Sequence, residues 1–144
     1  MDPRFATLAD LVIDVAREIR IQGAVAAPGV PLNQTQSQVM RYVHAHPACK
    51  ASEIATHTGV KRANVSAALT ELRDLGYLTS RRDEHDGRVT RIEATPQAVK
   101  TLTRLRASWS DLISSAWGPD IDDLDPVIAR LETLLSGLTA RKRS

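Results

Sequence analysis

The sequence predicts a mainly α-helical fold with one small β-hairpin, and three observations lead to this prediction. The chain has 144 residues, of which 42% are hydrophobic and 25% charged, as expected for one compact domain. Only 3% are aromatic, so the core must be largely aliphatic, which favours helices over a β-sandwich. Apolar residues recur at intervals of three and four along most of the chain, whereas an Asp-Gly turn separates two short segments of strand character.

Two helices are predicted in the first third of the chain. The segment 4–22 carries one apolar stripe, and Gly23 is predicted to end this helix before an Ala-, Pro- and Gly-rich connector at 24–31. The stripe consists of Phe5, Leu8, Val12, Val15 and Ile19. A second helix is predicted to begin at Asn33, because Asn is a good N-cap residue and Gln36 follows at capping-box spacing.

A helix-turn-helix is predicted next. A short helix at 51–58 ends at Gly59, and a second helix at 62–75 ends at Gly76. The second helix has an apolar stripe formed by Val65, Ala68, Leu69 and Leu72. Its other side carries the small or polar residues Arg62, Ala63, Asn64, Ser66, Ala67 and Thr70. Small side chains allow close approach to base edges, and the polar ones supply donors and acceptors, so this pattern indicates a helix for the DNA major groove.

The stretch RRDEHDGRVTRIEAT at 81–95 is predicted to form a hairpin directly after that helix. Strand-like segments at 77–82 and 89–94 flank the turn signal Asp86-Gly87. A helix-turn-helix followed by such a hairpin is a winged helix. Arg88 at the tip is predicted to reach a minor groove, and the neighbouring arginines to meet phosphates. Asp86 is predicted to orient Arg88, because a bare carboxylate beside phosphates is unfavourable.

The predicted DNA-binding residues therefore come from the second helix of the helix-turn-helix and from the hairpin. They are Lys61, Arg62, Asn64, Ser66, Thr70, Arg81, Arg82, Arg88 and Arg91.

Two long helices are predicted to follow, at 96–117 and about 122–139, with Gly118-Pro119 between them. Both carry apolar residues at steps of three and four, which is near-heptad spacing. The stripes are Val99, Leu102, Leu105, Trp109, Leu112 and Ala116 in the first helix, and Leu124, Ile128, Leu131, Leu135 and Leu138 in the second.

The chain resembles the MarR family of bacterial transcription regulators over nearly its whole length. The segment Arg82-Asp83-x-x-Asp86-Gly87-Arg88, followed by Ile92-x-Ala94-Thr95, resembles the family's R-D-x-x-D-x-R…v-x-L-T pattern. The entry to the second helix is similar to the family's L-T-x-x-Q-x-x-v, and it reads Leu32-Asn33-x-x-Gln36-x-x-Val39 here. Lys61 departs from the pattern, since a capping Ser is common there, so the recognition helix is expected to start less firmly.

The resemblance implies a homodimer with a winged helix-turn-helix DNA-binding lobe at 32–95 and long N- and C-terminal dimerisation helices at 1–31 and 96–144. One subunit alone could not hide three apolar stripes, which agrees with this expectation. Two recognition helices would enter successive major grooves about 34 Å apart, so the operator should be a near-palindrome. The resemblance also leads us to expect a repressor. The resemblance also implies release by a small aromatic or anionic effector, in a pocket to which Met40, Val43 and His44 would contribute.

Other function classes find little support. No Ser/His/Asp order, paired carboxylates or glycine-rich phosphate loop stands out, so no enzyme and no cofactor is predicted. His44, His46 and Cys49 lack a fourth convergent ligand, so no metal site is predicted, and Cys49 lacks the basic surroundings of a redox-sensing thiol. A single cysteine and the absence of a long apolar run lead us to expect a cytoplasmic protein without membrane contact.

Two alternatives to DNA binding stay open at this point. The net charge is only +2, which leaves room for a winged-helix protein–protein interaction module that never contacts DNA. A ligand-binding or redox enzyme on a helical dimer is the second alternative, and the missing catalytic constellation argues against it.

Overall fold

The computed structural model of this protein describes residues 1–26, 29 and 32–142. Within them, the helices are α1 (Arg4–Ala26), α2 (Gln34–Ala45), α3 (Ala51–Thr58), α4 (Arg62–Asp74), α5 (Pro96–Trp117) and α6 (Leu124–Arg141). The strands β1 (Leu78–Arg82) and β2 (Thr90–Ala94) pair antiparallel as one hairpin between α4 and α5. The predicted fold class, mainly α with a small β-wing, is confirmed.

The chain divides into two compact units. The central unit is Gly23–Ser108, and the terminal unit is Met1–Gln22 together with Trp109–Ser144. The central unit contains the main hydrophobic cluster, to which α2, α3, α4, both strands and the start of α5 contribute. Its buried members are Val39, Met40, Val43, Cys49, Ile54, Val65, Ala68, Leu69, Leu72, Tyr77, Leu78, Ile92 and Ala98. The apolar stripe predicted for α4 is therefore confirmed as its buried face.

Local signals set the start of α2 and the end of α3. The Asn33 side chain accepts a hydrogen bond from the Gln36 N–H at 2.8 Å, and the Gln36 side chain accepts one from the Asn33 N–H at 3.0 Å. This reciprocal pair is the capping box predicted from the sequence. Gly59 ends α3 with φ 72°, a left-handed conformation that glycine adopts without strain, and α4 begins three residues later.

Two helix ends differ from the sequence prediction. Helix α1 does not stop at Gly23 but continues to Ala26, because one glycine costs a helix only about 1 kcal/mol and the alanines beyond it are good helix formers. Of the connector predicted at 24–31, residues 27, 28, 30 and 31 lie outside the described part. Helix α6 begins at Leu124 rather than about residue 122, because Asp120 and Ile121 accept hydrogen bonds that shape a turn before it.

The terminal unit carries much exposed apolar surface in the single chain. Along α6, no residue is buried. The exposed large apolar residues of this unit include Phe5, Leu8, Leu11, Val12, Val15, Ile121, Ile128, Leu131, Leu135 and Leu138. An apolar surface of this extent on a protein in water indicates that something covers it.

Candidate nucleic-acid interface

Helix α4 presents its predicted DNA-binding residues to solvent. Lys61, Arg62, Asn64, Ser66 and Thr70 are all exposed, while the apolar side of the same helix is in the core. The Thr70 hydroxyl donates to the Ser66 carbonyl at 3.1 Å, so part of its hydrogen-bonding capacity is used within the helix. The remaining polar groups lie among the exposed side chains of Ala63 and Ala67, which are small enough to allow another molecule to approach the helix closely.

The start of α4 matches the expectation drawn from its capping residue. Lys61 occupies the N-cap and makes no side-chain capping hydrogen bond. The first N–H groups of the helix are therefore left for another acceptor, and the positive end of the helix dipole lies beside the cationic Lys61 and Arg62. This end of α4 is suited to an anionic group such as a phosphate.

Two contacts hold α4 against its neighbours. The Arg73 guanidinium donates to the Ser80 hydroxyl at 2.7 Å, which links the end of α4 to β1. The Gln36 amide donates to the Glu71 carboxylate at 2.5 Å, which links α4 to the start of α2. The orientation of the exposed face of α4 is therefore controlled from both sides.

The hairpin, which we call the wing (residues 78–94), carries four arginines, and these fall into two groups. Arg81 lies opposite Arg91 in the register, and both side chains are on the same face of the sheet. Each forms a diagonal ion pair across the strands: Arg81 contacts Glu93 at 3.3 Å, and the Nε of Arg91 contacts Asp83 Oδ1 at 3.0 Å. Two of the four guanidinium groups are thus engaged within the wing itself.

The other two arginines extend into solvent. Arg82 is exposed, and its side chain has no hydrogen bond or ion pair with any residue in the described ranges. The Arg88 side chain is 95% exposed, with its Nε 3.5 Å from Asp86 Oδ1. The same carboxylate oxygen accepts a hydrogen bond from the Arg88 N–H at 3.0 Å. Asp86 therefore lies beside Arg88, where a residue that orients the tip would be.

Asp83, Glu93 and Ala48 contact the wing arginines and were not among the site residues predicted from the sequence. The hydrogen bond from Arg91, followed by those from the N–H groups of Asp86 and His85, lowers the pKa of Asp83 below its usual value. A second donor of the Arg91 guanidinium reaches the Ala48 carbonyl at 3.3 Å. The strand register, which the sequence analysis did not assign, would have identified the first of these contacts. It brings Asp83 and Arg91 together as diagonal neighbours on one face.

The residues considered for an effector pocket, a metal site and a redox-sensing thiol differ in burial. Met40 is 7% and Val43 1% exposed, as members of the core of the central unit, whereas His44 is exposed. His46 stacks on Tyr42 with ring centroids 4.2 Å apart. Burial, and next the Glu53 carboxylate, raises the pKa of the Cys49 thiol, which is the opposite of what a reactive cysteine needs.

Neither a metal-binding cluster nor a membrane-spanning helix is present in the described part of the chain. No three His, Cys, Asp or Glu side chains within residues 1–26, 29 and 32–142 converge as metal ligands would. Among the helices of the same ranges, none has the length and hydropathy that crossing a membrane requires.

Comparison with known proteins points to one family. Residues 29–89 match the sequence model of the MarR family, a segment that includes α2, α3, α4, β1 and the wing turn. A comparison of the sequence with curated proteins gives no match.

Solved structures of similar fold cover almost the whole chain. A MarR family protein from Bacillus stearothermophilus superposes with a TM-score of 0.78 at 17% identity, covering 96% of this chain and 99% of that one. The transcriptional regulator BldR from Sulfolobus solfataricus gives 0.73 at 18% identity, with coverages of 94% and 99%. Streptococcus pneumoniae FabT in complex with DNA gives 0.70 at 14% identity, with coverages of 93% and 96%. At these identities the likeness shows a shared winged-helix fold.

Proposed function

We propose that this chain, whose residues 29–89 match the sequence model of the MarR family, is a transcription regulator of that family that binds double-stranded DNA. Repression is the mode we propose, since a protein seated on an operator blocks access to the same DNA. We propose that the activity is binding without catalysis and that it takes place in the cytoplasm.

The observation that carries this proposal is the pairing of two exposed surfaces in the central unit. Helix α4 offers Arg62, Asn64 and Ser66 on a face of small side chains. The wing that follows it offers Arg82 and Arg88, whose guanidinium groups extend into solvent. A helix with donors and acceptors can read base edges, and exposed guanidinium groups on the wing can meet phosphates or a narrow minor groove.

We propose further that two chains act together. The long N- and C-terminal helices at 1–31 and 96–144 are the proposed dimerisation region, and the lobe at 32–95 is the proposed DNA-binding part. The exposed apolar residues of the terminal unit support this, because a second copy would remove them from water. A two-fold pair presents two copies of α4, so the proposed operator is a near-palindrome with half-sites about one helical turn apart.

A small aromatic or anionic effector that releases the DNA stays a prediction from the family resemblance. Such a ligand would have to bind one arrangement of the DNA-binding lobes better than another, because a ligand with equal affinity for both does not change their populations. Met40, Val43 and His44 are the residues proposed to contribute to such a pocket.

A salt series of DNA binding tests the proposed function. The protein is titrated into a fluorescently labelled duplex and anisotropy is measured at several salt concentrations, for wild type, Arg88→Ala and Arg82→Ala. Arg130→Ala is the matched control, because it removes the same charge from an exposed position on α6. We expect wild-type affinity to fall steeply with salt, and each wing variant to lower the slope by about 0.9 for every phosphate that it no longer neutralises.

The control should keep the wild-type slope. A wild-type protein that shifts no duplex in dilute salt would contradict the proposal and favour the protein–protein interaction module. If Arg88→Ala and Arg82→Ala both follow Arg130→Ala at every salt concentration, DNA binding would stand but the wing would have no part in it.

A further inference from the structure

We propose that Asp83 and Arg91 are positioning residues that fix the orientation of the wing relative to the helix-turn-helix, and that neither contacts DNA. This inference rests on the proposed function. It assigns Arg91, predicted from the sequence as a phosphate contact, to a different role within the same site.

The Asp83 carboxylate uses both oxygens as acceptors. Its Oδ1 accepts the hydrogen bond from the Nε of Arg91 at 3.0 Å. Its Oδ2 accepts from the N–H groups of His85 at 3.1 Å and Asp86 at 3.0 Å. A side-chain amide has only one accepting oxygen, so it could serve Arg91 or the turn but not both. The carboxylate of Asp83 can therefore hold this arrangement, whereas an asparagine cannot.

The turn that Asp83 shapes is the one that presents Arg88. Asp86, whose N–H is held by Asp83, in turn accepts the Arg88 N–H on its own side chain at 3.0 Å. The Val89 N–H donates to the Asp86 carbonyl at 3.0 Å, which closes the turn. The backbone of Arg88 is therefore only two hydrogen bonds away from the Asp83 carboxylate.

The other end of the Arg91 side chain reaches outside the wing. One of its terminal nitrogens donates to the carbonyl of Ala48, in the connector between α2 and α3, at 3.3 Å. The neighbouring Ile92 N–H donates to the Cys49 carbonyl at 2.9 Å. Ala48 has φ 60°, a left-handed conformation that an alanine adopts only when its surroundings hold it there. The Arg91 side chain is 27% exposed, far less than that of Arg88.

A continuous path of contacts therefore joins the α2–α3 connector to the wing tip through Arg91 and Asp83. Without it, the tip could take several orientations, and only a fraction of molecules would present Arg88 correctly. The apparent affinity for DNA falls in proportion to that fraction. A positioning role thus predicts weaker binding with an unchanged number of phosphate contacts.

Removing one negative charge at two adjacent positions separates this role from plain electrostatics. Asp83→Asn and Glu84→Gln each delete one carboxylate from the same turn, and Glu84 has no side-chain hydrogen bond or ion pair within the described residues. Charge alone predicts that both variants bind DNA at least as tightly as wild type, because DNA is an anion. The positioning role predicts that Glu84→Gln does so, while Asp83→Asn binds about 3- to 10-fold more weakly.

The salt dependence of DNA affinity provides a second measurement, because losing a phosphate contact changes it and losing a positioning residue does not. Arg91→Gln should also weaken binding while keeping the wild-type salt slope, whereas removal of a phosphate contact would lower the slope by about 0.9. Circular dichroism establishes that each variant is folded. Should Asp83→Asn fail to fold, Arg91→Lys takes its place. This variant keeps the positive charge but lacks the Nε donor and the second terminal nitrogen. We expect it to bind DNA more weakly while its affinity keeps the wild-type salt slope.

The results distinguish this inference from the proposed function. No DNA binding by the wild type would remove the proposed function itself. A wild type that binds, together with an Asp83→Asn protein that binds as tightly as Glu84→Gln, would overturn the positioning role alone. A lowered salt slope for Arg91→Gln would overturn it as well, and would return Arg91 to the set of phosphate contacts.

Discussion

Dimerisation through the terminal unit leads to a prediction for Leu135, one of the most exposed apolar residues of α6. The residue is 66% exposed in the single chain. Full burial of a leucine side chain contributes about 2 kcal/mol, so covering about two-thirds of it contributes roughly 1.3 kcal/mol. A two-fold interface contains the residue twice, so the pair contributes about 2.6 kcal/mol, which is roughly a hundredfold in the dimer dissociation constant.

Leu135→Asp removes this contribution and would also bury two carboxylates in apolar surroundings, so we expect the dimer to weaken by more than about a hundredfold. Ser136→Asp is the matched control, because the adjacent residue takes the same charge on a side of α6 away from the apolar stripe. Sedimentation velocity over a range of concentrations measures both variants and the wild type. The same samples should show that Leu135→Asp loses affinity for a two-half-site duplex.

Two results would refute this reasoning. One is a wild-type protein that sediments as a monomer at micromolar concentration. The other is a Leu135→Asp protein whose dimer dissociates at the same concentration as that of Ser136→Asp. In the second case, either another surface would have to join the chains or the apolar stripe of α6 would have to be covered by something other than a second copy.

Two further predictions concern the central unit. Leu72 is fully buried on α4, whereas Leu75, one turn further on, is 41% exposed. Leu72→Ala should therefore lower the free energy of unfolding by about 3 to 4 kcal/mol and Leu75→Ala by about 1 kcal/mol or less. Urea denaturation followed by circular dichroism measures both losses, and equal losses would contradict the assigned core. The pKa of Asp83 is lowered from 3.8, so its stabilising effect should be constant between about pH 5 and 8 and should fade as the pH drops below about 4. The same denaturation at each pH should show the stability difference between wild type and Asp83→Asn disappearing in acid, and a difference that persists or grows there would contradict the ion pair.

Much of the architecture could be predicted from the sequence because the signals are local. The capping box joins Asn33 and Gln36, three residues apart, and both hydrogen bonds form as predicted. The bounds of α3 at 51–58 and of α5 at 96–117 agree with the structure, since Gly59 and Pro96 act on their own backbone. The buried stripe of α4 followed from helical spacing for the same reason.

The ends of α1 and α6 were not predictable with the same certainty. Gly23 weakens a helix without ending it, and the balance depends on neighbours on both sides. At the start of α6, the sequence places Asp122, Asp123 and Asp125 close together, and an aspartate at any of these positions is compatible with a helix N-terminus. Hydrogen bonds in the preceding turn selected the first helical residue.

The sequence by itself determined the order of the elements, the core-facing side of α4 and the concentration of arginine in the wing, because each follows from residues close together in the chain. Only the tertiary structure decided which arginines are available. Arg81 and Arg91 are engaged by Glu93 and Asp83, while Arg82 and Arg88 extend into solvent. That division depends on strand register and on the contact with Ala48, which lies 43 residues from Arg91, and spacing along the chain carries no information about such a contact.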